Sequence, residues 1–153
     1  MTSTEFGTIE REIHVEATPE VVFEVLTSPE HLSQWWTDDA TVEARTDAVG
    51  ELVWGDRAHV APIVVVKADP PHVFSFRWCH SGGEIDGSAD SLLVTFELTA
   101  VGAGTTLRLT ETGFREMGWE VAKLEEQYAD HSGGWDACVG KLAKYVARLA
   151  SRS

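Results

Sequence analysis

Apolar and polar positions alternate along most of this chain, then change period once near its end. From Thr8 to Glu16, Ile9, Arg11, Ile13 and Val15 share one side, while Glu10, Glu12, His14 and Glu16 share the other. That period of two predicts a strand with one buried face. Arg11 on the apolar side points to a position near the sheet margin. Ala40 to Arg45, Gly50 to Trp54, His59 to Ala68, Val73 to His80, Leu92 to Ala100 and Thr105 to Thr112 predict further strands. Asp69-Pro70-Pro71 ends the third of these six, because proline cannot continue the ladder. The Gly102-Ala103-Gly104 run predicts a hairpin turn. From His131 to Ala150 the period becomes helical: Trp135, Cys138, Val139, Leu142, Val146 and Leu149 recur every three or four residues. Lys141, Lys144 and Arg148 fall mostly on the other side of this helix, which is about 30 Å long.

Two short helices are predicted between the first and second strands. Thr18 is a suitable N-cap, Pro19 a suitable first helical residue, and Glu20 suits the positive helix end. Ser28-Pro29-Glu30 repeats the signal and opens a second helix ending near Trp35-Trp36. A further short helix is expected from Trp119 to Asp130, separate from the last one. Consecutive strands joined by short turns favour an antiparallel meander, and a long sheet twists and curls. The predicted fold class is therefore α+β, with a curved antiparallel sheet of six to seven strands around a long C-terminal helix. Residues 1–7 are expected to form a flexible leader and residues 8–150 a single domain.

Composition narrows the function. The formal net charge of −13 disfavours nucleic acid backbones and anionic membrane surfaces. With no apolar signal-type segment at its start, the chain is expected in the reduced cytoplasm, its two cysteines unpaired. The six histidines, at positions 14, 31, 59, 72, 80 and 131, lack metal-ligand spacing, so no metal is expected. No cofactor is expected either.

The candidate site follows from strand alternation. Glu111 shares a face with Leu107 and Leu109 and should point to the concave side. It is either a polar handle in a cavity wall or a strand-end residue reaching solvent, since an ionised carboxylate in a dry core is costly unless partnered. His80, on the face of Trp78, could form a carboxylate–imidazole pair with Glu111 for acid–base work, or could be an edge histidine facing water. Trp54, Phe76, Trp78, Phe96, Leu109 and Trp135 are expected to line a hydrophobic cavity, with Trp36 at its rim and Glu111 and His80 orienting the ligand, although Trp135 also suits simple core packing. His131 is expected to cap or tie the start of the last helix. Arg57 and Arg77 are expected to face solvent, and Cys138 to be a small core residue.

Several motifs in this order resemble the START-like (SRPBCC, helix-grip) superfamily, in its branch related to the C-terminal domain of the Hsp90 ATPase activator. They are Pro19 with Val22-Phe23, the Trp35-Trp36 pair, Pro70-Pro71 before Phe76 and Trp78, and Gly104-Thr105-Thr106-Leu107. His131, Gly134 and Trp135, followed by Leu142 and Tyr145, complete the set, and the resemblance runs from about Thr8 to Leu149. The family often has two glycines near the third strand, where this chain has Val49-Gly50. The resemblance implies the helix-grip fold and an internal cavity holding a lipid-like or polyketide-like molecule. It also leaves open an enzyme of cyclase, dehydratase or hydrolase type using His80 and Glu111, and a homodimer. Contact with an Hsp90-type chaperone, suggested by the family name, is not expected.

Overall fold

The computed structural model describes residues 8–56, 58–78, 92–113 and 120–151. Seven strands form one antiparallel sheet: β1 (Thr8–Val15), β2 (Asp39–Thr41), β3 (Val49–Trp54), β4 (His59–Asp69), β5 (Val73–Trp78), β6 (Leu92–Val101) and β7 (Gly104–Thr112). Their order across the sheet is β1-β7-β6-β5-β4-β3-β2, so the first strand closes against the last and the rest form a meander. The sheet curves around the C-terminal helix.

The helices α1 (Pro19–Thr27) and α2 (Pro29–Trp35) follow β1. The Thr18 side chain accepts from the Val21 amide, and Pro19 takes the first turn, where a missing N–H is harmless. Val22, Phe23, Val25 and Leu26 bury one face of α1. The Trp35 indole N–H donates to the Val25 carbonyl at 3.2 Å, which locks the two helices together.

The long helix α3 spans Val121–Ser151, about 46 Å. It corrects the expectation of a separate short helix before His131. Leu124, Tyr128, His131, Trp135, Cys138, Leu142, Val146 and Leu149 recur every three or four residues, so the inward stripe is continuous. Trp119 lies outside the described residues. Arg11 ties β1 to α3, with Nε donating to Asp136 at 2.6 Å and NH2 to Ser132 Oγ at 2.7 Å. The Tyr128 hydroxyl donates to the Thr8 carbonyl at 2.9 Å. Near the other end, His31 on α2 meets the Tyr145 hydroxyl at 2.6 Å.

The second strand is shorter than the expected Ala40 to Arg45. The chain turns after Thr41: the Ala48 amide donates to the Arg45 carbonyl, and Asp47 takes a left-handed φ of 69°. Gly50 is required where the end of β2 lies against the start of β3, because a Cβ there would collide with the Thr41 carbonyl oxygen. Between sheet and helix, Phe74, Phe76, Phe96, Leu107, Leu109, Leu142 and Val146 fill the centre. The interior is therefore packed through its middle.

Candidate functional site

Glu111 lies near the end of β7, paired with Ile9 on one side and Val94 on the other. Strand alternation turns its side chain inward, where it is fully buried. Three donors converge on its two oxygens. The indole N–H of Trp78 donates to Oε2 and that of Trp135 to Oε1, both at 2.8 Å. His131 Nδ1 lies 3.0 and 3.1 Å from the two oxygens. An indole N–H can only donate, and a carboxylate can only accept, so the set is chemically matched. A carboxylate this deep is tolerable because it is hydrogen-bonded on both oxygens.

Each partner comes from a different element. Trp78 is on β5, and His131 and Trp135 are one turn apart on α3. Both α3 residues therefore project the same way. His131 does not cap a helix start, as the sequence led us to expect; it lies inside α3. The imidazole that reaches Glu111 among the described residues is His131. His80, Cys79 and Arg57 lie outside them. Arg77 is half-buried.

Beside this centre opens a cleft of about 360 Å³, lined by Trp36, Trp54, Trp78, Asp130, His131, Gly134, Trp135, Cys138 and Lys141. Trp36, just after α2, is the hub of the aromatic wall. Its ring centroid lies 5.2 Å from Trp135, 5.6 Å from Trp78 and 5.9 Å from Trp54. The Trp54 indole donates to the Trp36 carbonyl at 3.0 Å. Three of the four wall indoles thus direct their N–H groups into the protein.

Of the residues expected to line a cavity, Trp36, Trp54, Trp78 and Trp135 border this cleft. Phe76, Phe96 and Leu109 lie in the packed layer beneath it, each at most 2% exposed. Glu111 takes neither of the two places considered for it: it reaches no solvent and stands behind the wall, holding two of its tryptophans. Asp130, Gly134, Cys138 and Lys141 were missed as site residues. They form a row along α3 at spacings of four, four and three, a signal that could have been found once Trp135 was assigned to a wall. Burial pushes the Cys138 thiol up to about 11, against an opposing pull from Lys141. It is therefore a neutral thiol near pH 7 and a poor nucleophile. Among the described residues, no group of three His, Cys, Asp or Glu side chains is placed to hold a metal. No helix among them is long and apolar enough to cross a membrane.

A curved antiparallel sheet gripping a long C-terminal helix, with two short helices after the first strand, is the helix-grip arrangement of the START-like superfamily. The model of the Activator of Hsp90 ATPase homolog 1-like protein family matches residues 16–147, and the chain belongs to that family. No curated protein matches the chain. Among solved structures, DynU16, a protein of the dynemicin biosynthetic locus, is 24% identical with a TM-score of 0.74. That match covers 92% of this chain but 47% of DynU16, so this chain spans about half its length. Protein MLL2253 from Mesorhizobium loti is 21% identical over 92% of this chain and 97% of its own, with a TM-score of 0.75. The Aha1 dimer from Colwellia psychrerythraea is 19% identical over 91% of this chain and 95% of its own, with a TM-score of 0.73. At these identities the likeness is one of fold.

Proposed function

We propose that the tryptophan-walled cleft binds a small apolar or amphipathic molecule, and that this binding is the protein's function. The observation that carries the reading is the convergence of Trp36, Trp54, Trp78 and Trp135 on one opening of about 360 Å³. Small-molecule sites are concave, from about 300 Å³ upward, and combine apolar walls with a few polar groups, here Asp130, His131 and Lys141. Apolar ligand surface buried there gains roughly 25 cal/mol per Å², before the cost of association. That cost favours a site whose walls are fixed in advance. Glu111 supplies this fixation, since its bonds to Trp78 and Trp135 hold both rings without a ligand's help.

An acid–base enzyme using Glu111 is the weaker reading. Such chemistry needs a carboxylate within reach of substrate, whereas Glu111 is 0% exposed and its two oxygens already accept from three side chains. The test is a titration of flat and linear apolar compounds followed by tryptophan emission, with native mass spectrometry of protein purified without denaturation. Saturable quenching that is weakened in Trp54→Leu is expected. A flat response to every compound in a broad panel, with no retained molecule, would overturn the proposal.

A further inference from the structure

Along one row of α3 the cleft has only Gly134 and Cys138 between two charged ends, with His131 and Trp135 lining it beside that row. Asp130, Gly134, Cys138 and Lys141 lie in one row along the helix, spanning about 16 Å. A Cβ built at Gly134 meets nothing within 4 Å, so the cleft reaches down to the helix backbone there. A glycine inside a helix lowers stability relative to alanine. No neighbouring atom forbids alanine at this position, so packing does not explain the glycine. Gly133 and Gly140 also have open space, but they fall on another side of α3 and do not line the cleft. Of the indoles in the remaining walls, the half-buried Trp36 and Trp54 present ring surface, while Trp78 and Trp135 are each 3% exposed and back them; the N–H groups of Trp54, Trp78 and Trp135 are directed inward. The charged groups that line the cleft stand at the two ends of the row. Lys141 only donates, and the Asp130 carboxylate only accepts.

We infer that the α3 backbone at Gly134 is a ligand contact and that the ligand is a flat fused-ring molecule. It carries an acceptor, a carbonyl or carboxylate, at the Lys141 end and a donor, a hydroxyl or amine, at the Asp130 end. This rests on the ligand-binding reading above and adds a shape, an orientation and a contact position to it. A flat ring system fits because it can lie against indole faces and close against a backbone with no side chain in between. A linear chain gains little from either feature.

The test uses calorimetric titration of the intact chain with 6-hydroxy-2-naphthoate, with laurate as a linear carboxylate of the same charge. Tighter binding of the naphthoate is expected. Gly134→Leu should weaken it about tenfold or more by filling the cleft, and Gly134→Ala by less. Both variants should fold, since the added atoms enter open space, and their thermal midpoints should not fall. Gly133→Ala and Gly140→Ala should raise the thermal midpoint and leave naphthoate affinity unchanged. Lys141→Met should weaken naphthoate binding by about threefold to fivefold, as expected for a partly exposed charge contact. Naphthoate affinity unchanged in a folded Gly134→Leu variant, or laurate bound more tightly, would overturn this inference while leaving the cleft as a binding site. Failure of every flat and linear compound to bind would remove both.

Discussion

Replacing Glu111 with glutamine changes one oxygen to an NH2 group and nothing else, so its consequence can be worked from the geometry. An amide keeps one acceptor and gains donors. Trp135 donates to Oε1 and Trp78 to Oε2, each at 2.8 Å. Whichever way the amide turns, one buried indole N–H faces a donor. His131 straddles both oxygens and can follow the one that remains. The variant therefore loses one charge-assisted bond, about 1.5–3 kcal/mol, and leaves one buried donor without an acceptor, about 1–3 kcal/mol. A total of about 2.5–6 kcal/mol is a large part of the roughly 5–15 kcal/mol that holds a domain folded. Urea unfolding followed by far-ultraviolet circular dichroism should show a midpoint lower by about 1.2–3 M at an unchanged slope of about 2 kcal/mol per M. Adding Trp78→Phe or Trp135→Phe removes one of the two N–H groups. At least one of these double variants should recover about 1 kcal/mol or more relative to additivity. A loss below about 1 kcal/mol in Glu111→Gln, with no coupling in either double variant, would refute the view that this carboxylate holds the wall.

Three further outcomes are expected. Gly50→Ala should destabilise by about 1–3 kcal/mol through the collision with Thr41, with faster amide exchange at β2 than at β5 as the local signature. The Cys138 thiol, with its pKa raised from 9.0 to about 11, binds its proton more tightly folded than unfolded. Its contribution should be full below pH 9 and fall as pH rises towards 11, where the unfolded chain has already released that proton. The pH–stability curve of Cys138→Ala should therefore fall less steeply over that window, and mass spectrometry should show slow alkylation of Cys138 at pH 7. Arg11→Ala should cost about 1 kcal/mol or less, and less still in high salt, because the Asp136 partner is largely exposed.

Strand positions were legible because one face is buried and one is not. Glu111 shows how far that reached: alternation with Leu107 and Leu109 correctly turned it inward, yet could not say what it would meet. Its three donors lie on β5 and α3, more than 19 residues away in either direction, and the sheet order that brings them together is set by tertiary packing. The continuity of α3 was not legible: helices were expected from Trp119 to Asp130 and again from His131 to Ala150, because Leu124 and Tyr128 are isolated among polar and charged residues and the apolar stripe becomes dense only after His131. In the folded chain Gly133 and Gly134 lie within the helix. Asp130 and Lys141 read as ordinary solvated positions, since charge on a helix says nothing about which groove lies beside it. The resemblance carried the fold; it did not carry the identity of the imidazole, because His131 had been given a helix-start role.

The four wall tryptophans raise a difficulty for any attempt to map the cleft by mutation. Trp78 and Trp135 are core residues by burial and wall residues by position, and both depend on Glu111. Truncating either would open a hole in the interior, release a buried carboxylate oxygen and remove a possible ligand contact at once. The resulting loss of binding would not separate stability from recognition. A buried polar centre of this kind often holds less stability than apolar residues of the same shape would, so its value here lies in fixing ring orientation. Two residues of the α3 row escape this coupling. Gly134 and Lys141 border the cleft without belonging to the packed core, so a change there that abolishes binding at undiminished thermal stability would have to act through the ligand itself.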